Sequence, residues 1–349
     1  MRSITNSHLS LSIKALLVFL TALLVVLTMI VGSPAQDSLD QVHIVARSKA
    51  EPGHDRMPTL RATVEVVLVN VTVLDHSNNL VTGLEPDNFT IFDNSFQQRI
   101  RYFSCEDAPI SLAVVIDASE SMKPRMEEAR QAVIELFKSS NSEDDFSVIT
   151  VSTEPRILIP AGEPLDDINT TLASVRPTGA TALWDSMYLG LTELKKARYP
   201  RRAMIVISDG GDNRSRYTLE KLKSTLQEAD VQVYAFGMFS WNARARARTI
   251  EEQTGPLKLD EVTAVTGGRL LPVTNRAELI DAAHHIGREL RNQYLLGYSP
   301  STEHDGHWRK IQIRVKTPAT REKVRVYAKK GYYGPQEADR NPCHDSCTE

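Results

Sequence analysis

Two hydrophobic rhythms divide the middle of the chain. The runs SLAVVID, FSVITVS, RAMIVIS and VQVYAFG are short and almost wholly apolar, whereas the stretches between them repeat apolar residues at threes and fours. After the first run, MKPRMEEARQAVIELFKSS sets Met122, Met126, Ala129, Val133, Leu136 and Phe137 on one helical stripe. Similar stripes predict helices over 182–198, 217–229 and 276–292. Strands apolar on both faces, separated by amphipathic helices, predict an α/β fold with a doubly wound, mostly parallel sheet over 107–292. Ligands of such sheets bind beyond the carboxyl ends of the strands.

The flanks have a period of two. In ATVEVVLVNVTVLD, Val67, Val69, Val71 and Val73 share a face, and a turn at SNN leads into LVTGLEPDNFTIFDN and QQRIRYFS. The texture returns in HWRKIQIRVKT, where Ile311, Ile313 and Val315 share a face, and in KVRVYAKKGYYG. Neither flank holds enough strands to cover a core. Residues 61–106 and 293–335 are therefore expected to pair into one small β-sandwich, with the α/β domain inserted between them and 336–349 left as a tail. Residues 36–60 show no steady period and read as a linker.

Candidate chemistry collects at three strand ends. DASES follows the first strand, SDGGD follows RAMIVIS, and PTGATALWDS lies between them just before a helix. Asp117, Ser119, Ser121, Thr181 and Asp209 then offer two carboxylates and three hydroxyls from one sheet edge. Five hard oxygens with two negative charges suit Mg²⁺ or Mn²⁺. Ser and Asp at a strand tip would also cap a helix; the addition of Thr181 and Asp209 from other loops favours the cation. With one octahedral position left over, the ion would accept an external carboxylate. Around this edge Glu120, Asp212, Trp241, Arg244, Arg246 and Arg248 are candidate partner contacts, and Asp185 lies near the same loops. His284 and His285 have no companions at zinc spacing.

Composition narrows the class. The chain has 349 residues, 41% hydrophobic and 24% charged, with a formal net charge of −3 and no basic stripe of the kind nucleic acid requires. Arg2 and Lys14 precede the apolar run Ala15 to Gly32, and Ser33 and Ala35 stand at the small-residue positions of a cleavage site. Residues 1–35 thus read as a signal peptide or, since 15–32 is just long enough to span a bilayer, a membrane anchor. Both place the rest outside the cytoplasm, so a disulfide among Cys105, Cys343 and Cys347 is permitted, with its pairing open.

DASES, Thr181 in GAT and Asp209 in ISDG resemble the metal-ion-dependent adhesion site of the von Willebrand factor A domain family, over about 107–292. The resemblance implies the doubly wound fold, a divalent cation at those five residues and a protein ligand presenting Asp or Glu. VTGLEPDNFTIFDN, QYLLGYSP and KKGYYG further resemble secreted bacterial VWFA-related proteins, which implies a secreted, periplasmic or cell-surface location in a bacterial envelope. Integrin-type relatives carry acidic residues soon after the second serine; here MKPRM supplies Lys123 and Arg125, so no adjacent second cation is expected. The leading expectation is an adhesion or protein-binding module without catalytic residues. The alternatives are a metal-dependent hydrolase, for which no G-x-S-x-G, P-loop or Cys/His pair is present, and a structural envelope protein.

Overall fold

In a computed structural model, residues 66–164, 168–239, 250–300, 306–317 and 324–334 are described. The expectations for residues 1–35, the linker, Trp241, Arg244, Arg246, Arg248, Cys343 and Cys347 lie outside the described residues. Fourteen strands are present among those described. In chain order they are β1 Val67–Leu74, β2 Phe89–Asp93, β3 Phe96–Gln98, β4 Tyr102–Ser104, β5 Ser111–Asp117, β6 Asp145–Val151 and β7 Arg156–Ile159. They continue with β8 Arg202–Ser208, β9 Gln232–Met238, β10 Leu270–Val273, β11 Tyr294–Tyr298, β12 Trp308–Val315, β13 Arg325–Ala328 and β14 Gly331–Tyr333. The helices are α1 Met126–Lys138, α2 Ile168–Ser174, α3 Leu183–Lys196, α4 Leu219–Glu228, α5 Ile250–Thr266 and α6 Arg276–Arg291.

The central sheet runs β10-β9-β8-β5-β6-β7, parallel throughout except for β7. Every residue of β5, β6 and β9 is buried, which is why these strands read as continuous apolar runs. Their side chains alternate between two cores. Leu112, Val114 and Ile116 face α1, α2 and α6, packing with Val133, Leu136, Leu172 and Ile286. Ala113 and Val115 face the opposite layer, with Leu191 of α3, Leu226 of α4 and Leu259 of α5. Helices thus cover both sides, and the strand order reverses between β5 and β8, the position whose carboxyl-end side binds ligands in such sheets.

The flanks interleave rather than stack separately. β1, from the first flank, lies between β11 and β13 of the second in the sheet β13-β1-β11-β4. β12 of the second flank lies against β2 of the first in the sheet β14-β12-β2-β3. The valines at 67, 69, 71 and 73 turn inward with Phe89, Ile91, Leu296 and Ile311, forming a separate core. Phe89 and Tyr294 rings meet across it at 5.0 Å between centroids. The β-sandwich expected from the alternation is therefore present, built from both ends of the described chain.

Four elements were not legible in the periodicity: β7, β10, α2 and α5. The two strands have four residues each and sit at the sheet's edges, where half-exposed residues blur the apolar run. α5 contains Gly255 and Pro256 in its interior. The first helix also begins later than its stripe. Residues 120–125 form a 3-10 turn with Pro124 inside, and α1 starts at Met126, although Met122 is buried as expected.

Candidate metal centre

Register brings the first acid to its neighbour. β5 and β8 pair in parallel with Ile116 opposite Ile207, so the next residues, Asp117 and Ser208, end adjacent strands at the same level. The Ser208 hydroxyl donates to Asp117 Oδ2 at 2.6 Å, and the Ser119 N–H donates to Asp117 Oδ1 at 3.0 Å. Both carboxylate oxygens are thus held in place, and Asp117 is fully buried. The chain then turns so that Ser119 Oγ and Ser121 Oγ stand 3.1 Å apart. Ser119 is buried while Ser121 is exposed, which gives the pair an open side.

The threonine loop is laced to this tip through its backbone. Thr178 N–H donates to Ala118 O at 2.9 Å, and Glu120 N–H donates to Gly179 O at 3.2 Å. Gly179 has φ +80°, and a Cβ there would fall 2.4 Å from Thr153 Oγ1, so the turn that delivers Thr181 needs glycine. From the other side, Asn213 N–H and Arg214 N–H both donate to Thr181 O, at 3.0 and 3.1 Å, while Thr181 N–H donates to Asn213 Oδ1 at 2.9 Å. The loops bearing Asp117, Thr181 and Asp209 are therefore bonded in sequence.

Asp212 and Asp185 face inward. Asp212 Oδ1 accepts from Leu183 N–H at 2.9 Å and from the Ser215 hydroxyl, so it caps the start of α3. Asp185 Oδ1 accepts from Arg216 N–H and Tyr217 N–H at 2.9 and 3.0 Å. These carboxylates fasten the loop after β8 to α3, directly behind Thr181. Glu120, by contrast, is exposed and lies 3.7 Å from Lys123. Nothing in the spacing of SDGGDNRS marked Asn213 or Ser208 as partners of the site; both act through turn and register geometry.

The electrostatics leave a deficit of positive charge. Burial pushes the Asp117 carboxyl up to about 6, and the negative charge of Asp209 adds to the effect. Two carboxylates and three hydroxyls suit a hard dication, which would neutralise that repulsion. Among the described residues no group of three or more His, Cys, Asp or Glu is placed to hold a metal.

Behind Asp209, helix and loop touch backbone to backbone. A Cβ on Gly255 of α5 would lie 2.7 Å from the Gly210 backbone and 3.0 Å from Asp209 O. Gly255→Ala is therefore expected to push the Asp209 loop off its seat. Overpacking costs about 1–3 kcal/mol, and a disturbed ligand support weakens metal affinity by roughly 10–100-fold. Urea unfolding and magnesium titration calorimetry of the same variant check the two effects.

Comparison with known proteins bears on the same segment. Residues 112–211 match the family described as von Willebrand factor type A domain. Inter-alpha-trypsin inhibitor heavy chain H3 of Homo sapiens is 28% identical over 160 residues, covering 41% of this chain and 18% of that protein. Heavy chain H4 of Sus scrofa is 24% identical over 211 residues, covering 55% of this chain and 23% of that protein. The matches thus span about a fifth of the length of these relatives. Among solved structures, a von Willebrand factor type A protein from Catenulispora acidiphila aligns with TM-score 0.44 and 10% identity, over 80% of this chain and 76% of that one. An aerotolerance-related membrane protein from Bacteroides fragilis aligns with TM-score 0.42 and 18% identity, over 52% and 98%.

Proposed function

We propose that the chain, whose residues 112–211 match the von Willebrand factor type A domain family, is an extracytoplasmic binding module which captures an acidic side chain of a partner protein through a divalent cation. Domains of this type mediate protein–protein interaction. Asp117, Ser119, Ser121, Thr181 and Asp209 would hold Mg²⁺ or Mn²⁺, and the ion would supply a Lewis-acidic position for the incoming carboxylate. The observation that carries this reading is the laced edge: Ser119 and Ser121 paired at 3.1 Å on the tip beyond buried Asp117, with the Thr181 loop bonded to that tip and to the loop after β8.

The protein's own groups do the positioning. Ser208 and the Ser119 N–H orient Asp117, Asn213 fixes the Thr181 backbone, and Asp212 anchors the helix behind it. The side chains of Lys123 and Glu120 are mostly exposed at the rim. The export reading of residues 1–35 supports a secreted, periplasmic or surface setting. Among the described residues no helix is long and apolar enough to cross a membrane.

Chelation is the direct test. Partner protein from an envelope fraction should be retained on the immobilised chain in magnesium, released by EDTA, and recovered when magnesium is restored. Retention that ignores EDTA would sink the metal-bridged reading, and metal-dependent turnover across a hydrolase substrate panel would replace it with an enzyme.

A further inference from the structure

The rim around the proposed cation is basic although the chain as a whole carries −3. Arg214 lies beside Thr181, since its N–H donates to Thr181 O at 3.1 Å, and its side chain is exposed. Arg216, two residues on, has its side chain 89% exposed, and its Nε pairs with Asp185 Oδ2 at 3.4 Å. On the other side, exposed Arg176 precedes the Thr178 that bonds to Ala118, and exposed Lys123 follows Ser121. The exposed acids of these loops are fewer. Glu120 is shared with Lys123 at 3.7 Å, and Glu154 stands on the loop after β6. Asp185 and Asp212 are turned inward. Beside the arginines, Tyr217 stacks on Tyr188 at 3.9 Å between centroids and stays 48% exposed.

We propose that this edge recognises a polyacidic peptide segment rather than an isolated acidic residue: one carboxylate for the cation, and flanking acids for Arg214, Arg216 and Arg176. This rests on the metal-bridged reading above and names the partner chemistry of that same site. Arginine forks bind carboxylates with two parallel donors. The flat Tyr217 ring offers the main chain of an extended peptide an apolar surface with a polar tip. Like-charged flanks on a partner gain on-rate from a rim of opposite sign. A sulfated glycan would meet the arginines as well, but pairing with the arginines alone would not need the cation, so EDTA separates it from the peptide.

The experiment compares two synthetic peptides on the full extracytoplasmic chain in magnesium. One carries a single Asp between glycines, and the other carries the same Asp flanked by two Glu on each side. Magnesium heat is measured first, without peptide. The polyacidic peptide is expected to bind about tenfold tighter at low salt, from several exposed pairs of modest strength. That advantage should vanish at about 0.5 M salt, where the Debye length falls to a few ångströms. Arg176→Glu with Arg214→Glu should remove it as well while keeping the magnesium heat. Equal affinity of the two peptides, or an advantage untouched by the charge reversal, overturns the polyacidic proposal and leaves the metal-bridged reading standing. Heparin binding that survives EDTA and competes with the peptide also overturns it. Absence of magnesium heat in the unaltered chain overturns the reading beneath it.

Discussion

Asp117→Asn is expected to abolish magnesium-dependent stabilisation while leaving the apo fold intact. The substitution keeps the shape of the side chain. Its carbonyl oxygen can still accept from Ser208 or from the Ser119 N–H, the two donors that orient the carboxylate. It removes one of two negative charges in a fully buried place, where burial and then Asp209 already push the carboxyl up to about 6. In the absence of metal, loss of that charge relieves repulsion, so the apo protein should be at least as stable as the unaltered one. In the presence of metal the effect should reverse, because the ion would lose the most deeply buried of its proposed anionic ligands.

The expected size follows from mass action. An ion held at one hundred times its Kd stabilises the folded state by about 2.7 kcal/mol. For an α/β domain of this size each kcal/mol moves Tm by roughly 2–4 °C, so saturating magnesium should raise the Tm of the unaltered chain by about 5–10 °C. The variant should show no shift at the same concentration, with its affinity lowered by more than about 100-fold. Thermal melts with and without magnesium, and calorimetric titration, read the two quantities separately. An unaltered chain whose melting ignores magnesium, or a variant that keeps the shift, removes Asp117 from the metal set.

How much of this was readable beforehand depends on the kind of signal. The inner strands were legible because burial on both faces leaves no polar interruption, as in SLAVVID, every residue of which is buried. The sandwich was legible because the valines at 67, 69, 71 and 73 show a half-buried alternation. α5 was not, since Gly255 and Pro256 interrupt it and the glycine is there for a contact with Gly210 that no local pattern encodes. The five oxygen-bearing residues stood out because hard donors at strand ends conflict with the apolar runs before them. Their supports did not. Ser208 depends on the β5–β8 register, and Asn213 on a turn that folds back to Thr181. The opposed directions of Asp212 and Glu120 follow from backbone geometry that the spacing leaves open.

Arg269→Met is expected to cost the fold more than any rim substitution. Glu289, in α6, is fully buried, and Arg269 grips one of its oxygens twice, through Nε at 3.0 Å and Nη2 at 2.6 Å. The guanidinium also lies 5.7 Å from the Tyr327 ring of β13, so it reaches from the α/β layer into the sandwich. Close by, Gln293 Nε2 donates to Gln232 Oε1 at 2.8 Å and to Tyr234 OH at 3.0 Å, and Thr72 of β1 lies within 3.3 Å of the same nitrogen. Burial, with the charge of Glu289 adding to it, pushes the Tyr234 hydroxyl well above its ordinary range, so it stays neutral and bonds as a phenol. This polar plug joins β9, α6, β1 and β13. Breaking a buried ion pair from one side strands the other charge and costs about 3–5 kcal/mol, on the order of 10 °C in Tm at this chain length. Adding Glu289→Met should restore most of that loss, because a buried pair replaced on both sides by apolar groups of similar volume is often neutral. Urea unfolding of the two single variants and the double closes the cycle and gives the coupling directly. If the plug holds sandwich and sheet together, the unaltered chain should unfold in one transition by near- and far-ultraviolet signals alike, and Arg269→Met should separate them. A fully additive cycle would mean that the two charges act independently and that the sandwich is held by its apolar core alone.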